Sequence, residues 1–352
     1  MTYRVKVVRA EGDAFNRGRT IGREFADPIN RSVAFYYRYF ERRGFGRQEL
    51  EGLARPFVQA AESILPSEMD AIRGMAEGAD VELIDLIVPN AFEELDPLTE
   101  QEPARLPLER CTTFAVTHPG VTLLGHNEQW IAGDAGLVGV IIEIPEEPGA
   151  TTIASPTVPS WRPAVGMNSA GWAQGVMSLT ASDDGVGVPR VLVSRHALES
   201  VDRDDAIERT AIWGRSGGYA YVCARKGGEA FTIETTATRH ALLPDVRAHT
   251  NHYLDPDLAQ IGEQPSEGSL ARCERLTHLL AERPPETPQD VIAILADHGS
   301  NPSICRHADP DEGEEADAVL FGMVCDLEAK RMWVAPGYPC EGFEQIDLAG
   351  AI

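Results

Sequence analysis

The sequence has 352 residues, 43% of them hydrophobic, and 55 acidic residues against 31 basic ones, a formal net charge of −24. This length supports a substantial core in one large domain or two ordinary ones, and the default class is a globular enzyme. The acid excess argues against nucleic acid and anionic membrane as partners; the acids, densest at Glu93 to Glu102 and Asp309 to Asp317, read as a solvated surface.

The opening MTYRVKVVRAEGD has no signal-peptide core, and no stretch approaches the roughly 20 apolar residues that cross a bilayer. A soluble, cytoplasmic protein is expected. After a short strand over Tyr3 to Val8, apolar residues recur at helical spacing through Ser32 to Phe45, Glu49 to Leu65 and Ser67 to Met75, and Asp80 is expected to cap the next helix. The polar, proline-bearing stretch from Leu95 to Arg110 has linker chemistry.

From Cys111 the period becomes two. CTTFAVTH, a Pro119-Gly120 turn and VTLLGHN predict a hairpin, followed by a strand over Val138 to Ile144 and another over Gly171 to Thr180. YAYVCAR-KGG-EAFTIET predicts a second hairpin, and VLFGMVCDLEAKRMWVAP a third that turns at Leu327 to Lys330. Helical stretches intervene at Arg190 to Glu199, Asp204 to Trp213, Ser269 to Glu282 and Pro288 to His298. Helices followed by strands with helix pairs between them predict an α+β fold of two stacked sheets with helices outside.

Nucleotide, serine-hydrolase and zincin signatures are absent. The six cysteines, at 111, 223, 273, 305, 325 and 340, have no framework spacing, which suits reduced thiols. His249 with His252, and Cys305 with His307, are pairs of metal-ligating types, but neither spacing matches a strong zinc pattern, so no metal is expected. Cys111 opens a strand just after the linker, where an exposed peptide bond can be cut to leave a new N-terminus; the alternative is a small buried hydrophobe.

Several pieces occur in a shared order: the Gly18 and Gly22 segment, GMAEGADVELIDL, CTTFAV, GHNEQW, GMNSAGWAQGV, SRHALES, HTNHYL, ICRH and VAPGYPCEG. On these the chain resembles the acyl-coenzyme A:6-aminopenicillanate acyltransferase family, also called isopenicillin N acyltransferase-like, of the cysteine N-terminal-nucleophile hydrolases. The resemblance spans nearly the whole length. It implies a four-layer αββα sandwich with a helical N-terminal segment. It also implies self-cleavage before Cys111 into a retained 1–110 segment and a 111–352 chain, and amide acyl transfer through an acyl-enzyme on Cys111.

A terminal cysteine carries its own α-amino group, whose pKa of about 7.7 to 8.0 suits it as a base near neutral pH. The resemblance further implies that Asn251 and a backbone N–H near Ser178 bind the oxyanion and that Arg306 favours the thiolate. Asn251 otherwise reads as a turn asparagine, and Arg306 as an ion-pair partner of Asp309 or Asp311. The sequence departs from the family pattern at Arg110, where a small residue is usual, and at Gln129, where an aspartate usually orients the nucleophile. Glutamine there can accept a hydrogen bond but brings no charge.

The expected partners are a small N-acyl substrate and the chain's own two fragments. No cofactor is expected, although a coenzyme A thioester could serve as acyl donor. The competing readings are a bile-salt or penicillin-type amidase and a non-catalytic, uncleaved binding descendant.

Overall fold

The computed structural model describes residues 4–99, 110–348 and 350–352. In chain order its elements begin with β1 (Lys6–Gly12), α1 (Ala14–Glu24), α2 (Ala26–Glu41), α3 (Arg47–Ile64), α4 (Pro66–Ala79), α5 (Leu83–Asn90) and α6 (Phe92–Leu95). Then come β2 (Thr112–His118), β3 (Val121–Ile131), β4 (Gly139–Pro145), β5 (Ile153–Thr157), β6 (Gly166–Asn168), β7 (Trp172–Leu179), α7 (Arg190–Ala197) and α8 (Arg203–Thr210). The chain continues through β8 (Gly218–Arg225), β9 (Glu229–Thr235), β10 (His240–Leu243), β11 (Ala248–His249), α9 (Glu267–Glu282), α10 (Pro288–Leu295), β12 (Asp317–Asp326), β13 (Arg331–Ala335) and β14 (Glu344–Asp347).

The strands form an eight-stranded sheet, β1-β4-β5-β6-β7-β8-β9-β10, and a six-stranded sheet, β11-β2-β3-β12-β13-β14. The sheets face each other through β2 and β3 against β7 and β8. Helix α1, with α4 behind it, covers the first sheet beside β1 and β4, and α9 and α10 cover the second against β11, β3 and β12. The fold is therefore the expected four-layer αββα sandwich.

The first strand is displaced from its expected bounds and pairs in parallel with β4, so residues before Cys111 help build the first sheet. Helix α1 was legible only as the Gly18 and Gly22 segment. A Cβ at Gly18, Gly22, Gly74 or Gly78 would collide with the backbone of the facing helix, so these glycines let α1 and α4 approach closely. Asp80 does not open a helix: it ends α4 in the left-handed region at φ 56°, which aspartate tolerates through local hydrogen bonding. Helix α5 starts from Glu82, whose N–H donates to Asp85 at 2.9 Å. Helix α8 stops at Thr210, short of Trp213, before a turn through Gly214 at φ 79°.

A buried charge cluster joins the two sides of position 111. Glu143 on β4 forms ion pairs with Arg17 at 3.2 Å, Arg162 at 3.1 Å and Arg195 at 3.2 Å, and Arg162 also pairs with Glu68 at 2.8 Å. Burial alone would raise the Glu143 carboxyl, but the three guanidinium groups hold it well below the usual carboxylate range. Arg17 and Glu68 belong to the segment before Cys111; Glu143, Arg162 and Arg195 come after it.

Candidate active site

Cys111 immediately precedes β2 and is 3% exposed. The hairpin register runs from His118 opposite Val121 to Thr112 opposite Asn127, and continuing it one step sets Cys111 across from Glu128. The Cys111 thiol lies 3.2 Å from Glu128 Oε1. Glu128 Oε2 is 3.1 Å from His126 Nε2, and His126 Nδ1 is 2.7 Å from Thr113 Oγ1, so a buried polar chain runs Thr113–His126–Glu128–Cys111. Burial, and next the Glu128 carboxylate, push the thiol well above its ordinary pKa; a backbone hydrogen bond from Gln129 and the charge of Arg110 oppose this.

The second layer of the site comes from α9. Arg272, fully buried, donates from Nη1 to the Cys111 carbonyl at 2.7 Å and to Thr112 Oγ1 at 2.9 Å. Its Nη2 donates to Asn251 Oδ1 at 3.2 Å. That bond sets the Asn251 amide so that Nδ2 donates to the Ser178 carbonyl at 3.1 Å. Asn251, Ser178 and Arg110 line a cleft of about 310 Å³.

Arg110 is held from two sides. Its guanidinium lies 3.9 Å over the Trp130 ring and 3.2 Å from Glu93 Oε1. Glu93 also accepts from Ser178 Oγ and the Tyr219 hydroxyl. Burial would raise the Glu93 carboxyl, but Arg110 and Arg190, with these hydroxyls, hold it below its usual value.

The structure brings Cys111 and Asn251 together through Arg272 and leaves the other two expected residues elsewhere. Gln129 contributes its carbonyl oxygen, 3.9 Å from the thiol; the side chain facing the sulfur belongs to Glu128. The cause is strand alternation: Asn127, two residues before Gln129, points to the helical layer and donates to Leu295 O at 2.9 Å and Ile304 O at 3.0 Å. Arg306 lies beside Asp317 at 3.8 Å, while its carbonyl accepts from Val319 N at 3.0 Å next to the bulge in β12. The arginines against the nucleophile are Arg110 and Arg272. Ser178 turns its carbonyl, not an N–H, toward Asn251.

Glu128 is not among the residues expected from the sequence, although the two-residue turn at Pro119-Gly120 sets the register that pairs it with Cys111. Arg272 carried no comparable signal, because it comes to the site from a helix 161 residues further on. The described residues also hold two groupings of metal-ligating types. One is Cys111, His126 and Glu128; the other is His298, Cys305, His307 and Cys340.

The chain is similar to several known proteins. A relative from Emericella nidulans, the 40 kDa form of acyl-coenzyme A:6-aminopenicillanic-acid-acyltransferase, is 28% identical over 304 residues, covering 83% of this chain and 81% of that protein. Among solved structures, penicillin V acylase from Agrobacterium tumefaciens is 15% identical with a TM-score of 0.44, covering 68% of this chain and 87% of that one. A variant of conjugated bile acid hydrolase from Clostridium perfringens is 14% identical with a TM-score of 0.49, covering 68% of this chain and 93% of that one. The family profile described as acyl-coenzyme A:6-aminopenicillanic acid acyl-transferase matches residues 118–340, and the chain belongs to that family.

Proposed function

We propose that this chain is a self-processing amidase or acyltransferase for small N-acyl compounds, with Cys111 as its nucleophile. The observation that carries the reading is the buried Cys111 thiol, 3.2 Å from a carboxylate, immediately before strand β2 and next to Arg110, which lines the cleft. Under this reading the thiol attacks the Arg110 carbonyl carbon as Glu128 takes the thiol proton, and the C–N bond to Cys111 breaks as that proton passes to the nitrogen. The resulting thioester is hydrolysed by water. Arg110 then ends one fragment, and Cys111 begins the other with a free α-amino group.

In turnover the same sulfur attacks a substrate amide or thioester carbonyl, and the departing amine or thiol takes a proton. Water completes a hydrolysis; an amine completes a transfer, with a coenzyme A thioester as an admissible acyl donor. Asn251 Nδ2, held in orientation by Arg272, is the donor assigned to the developing oxyanion. An apolar cavity of about 40 Å³ between Trp130, Trp161, Val176 and Phe321 reaches Glu128 and suits the beginning of an acyl chain. The free cysteines suit a reducing, cytoplasmic setting.

The test is an acid-quenched incubation with an N-acyl amide carrying a chromogenic amine, read by peptide mass. The reading expects an acyl adduct on Cys111, no adduct and no amine release from Cys111→Ala, and undiminished release from Cys273→Ala. Amine release by Cys111→Ala at the wild-type rate would overturn it.

A further inference from the structure

On the side of the six-stranded sheet away from Cys111, four side chains from three chain segments converge. His298 follows α10, Cys305 and His307 lie on the loop leading to β12, and Cys340 lies in the turn after β13. One ligand atom from each lies within 4.8 Å of all the others. His298 Nε2 and His307 Nε2 are 3.4 Å apart, Cys305 Sγ and His307 Nε2 3.8 Å, and His307 Nε2 and Cys340 Sγ 3.2 Å.

These separations identify the chemistry. A tetrahedral zinc ion takes thiolate at about 2.3 Å and imidazole nitrogen at about 2.0 to 2.1 Å, so its ligand atoms stand roughly 3.3 to 3.8 Å from one another. The three measured separations fall at or close to that window. Two sulfurs and two nitrogens are also the donor set that zinc favours over calcium or magnesium, which prefer oxygen.

The surroundings hold the ligands in place. The His307 ring stacks on Tyr338 at 3.8 Å with planes 7° apart, and the Tyr338 hydroxyl accepts from Ala308 N at 3.1 Å. Asp297, beside His298, is clamped by Arg275 at 2.9 and 2.7 Å, and its carbonyl accepts from Cys305 N at 3.0 Å. Such supports fix the direction of metal ligands.

We propose that His298, Cys305, His307 and Cys340 form a structural zinc site that fastens the loop carrying Arg306 to the turn after β13. With four protein ligands the ion has no open position, so its role is to hold structure and not to activate water. The sequence hid the site because Cys340 is 33 residues beyond His307.

The test uses the full chain with a cleavable non-histidine tag, purified without metal-affinity resin. Elemental analysis after passage through a weak chelator should give one zinc per chain, and zinc content should fall about tenfold or more in His307→Ala and Cys340→Ser but not in Cys273→Ser. Cobalt titration of chelated wild-type protein gives a readout independent of variant folding: tetrahedral d–d bands with thiolate charge transfer are expected. Chelation should lower the melting temperature, and added zinc should restore it. Zinc absent after the chelator step together with no tetrahedral cobalt spectrum would overturn the proposal. So would peptide maps showing Cys305 and Cys340 joined as a disulfide in freshly isolated protein.

Discussion

Arg272 donates to the carbonyl oxygen of Cys111 at 2.7 Å, and the same guanidinium reaches Asn251 Oδ1 at 3.2 Å. One buried cation thus fixes the distance between the nucleophile's strand and the assigned oxyanion donor. A planar fork can satisfy both acceptors, whereas an ammonium acts as a single point charge. Arg272→Lys should therefore keep the fold while slowing both precursor loss and amide turnover, by about 10² if the reacting groups shift by an ångström. Time courses of precursor mass and amine release check this, and wild-type values for both would remove Arg272 from the site.

Glu128, not Gln129, faces the sulfur, and the two positions give opposite expectations. Gln129→Asp should change processing little. Glu128→Gln should slow it, because the proton acceptor is gone.

The pH dependence separates two effects of Glu128. In the precursor, burial first and the Glu128 charge second raise the thiol pKa, so the thiolate fraction and the cleavage rate should climb as pH rises above neutrality. Removing the charge in Glu128→Gln lowers the midpoint of that climb while depressing the rate at neutral pH. An unchanged midpoint and rate would show that Glu128 does not act on Cys111. The stability sign is fixed too: a thiol raised in the folded state contributes stability that is complete below the unfolded pKa of about 8.5 and is lost as pH rises through the folded value. Cys111→Ala should flatten that alkaline loss in denaturation curves.

Asn251→Ala should leave the fold and substrate binding intact but reduce turnover about 10²- to 10³-fold, the usual effect of losing one oxyanion donor. Steady-state kinetics with kcat separated from KM checks it. A fall confined to substrate binding would make Asn251 a contact for the ground state.

How much the sequence disclosed depended on how local the cause was. The hairpins from Cys111 onward and the sheet-and-helix layering follow from period-two and helical patterns in short windows, and both were legible. Asp80 misled because aspartate serves helix starts and left-handed helix ends alike. Gln129 was assigned from the family pattern, although counting the hairpin register at Pro119-Gly120 leads to Glu128. Arg272 and the Glu143 cluster depend on contacts between distant segments, and no local pattern encodes those.

The Glu143 cluster predicts how the two proposed fragments stay together. Glu143→Gln leaves Arg17, Arg162 and Arg195 buried without their shared carboxylate, and breaking a buried charge group in this way costs about 3 to 5 kcal/mol. The variant should melt well below wild type, and its fragments, once cut, should separate more readily on gel filtration. A melting temperature equal to wild type would mean that the cluster contributes little.

The central claim is that an active preparation contains a chain cut between Arg110 and Cys111. Intact mass spectrometry of freshly purified, catalytically active protein tests it most directly, run once denatured and once under native conditions. The account predicts masses for residues 1–110 and 111–352 in equal amounts after denaturation, and a single complex of both under native conditions. Full-length chain alone, in a preparation that turns over amides, would contradict it.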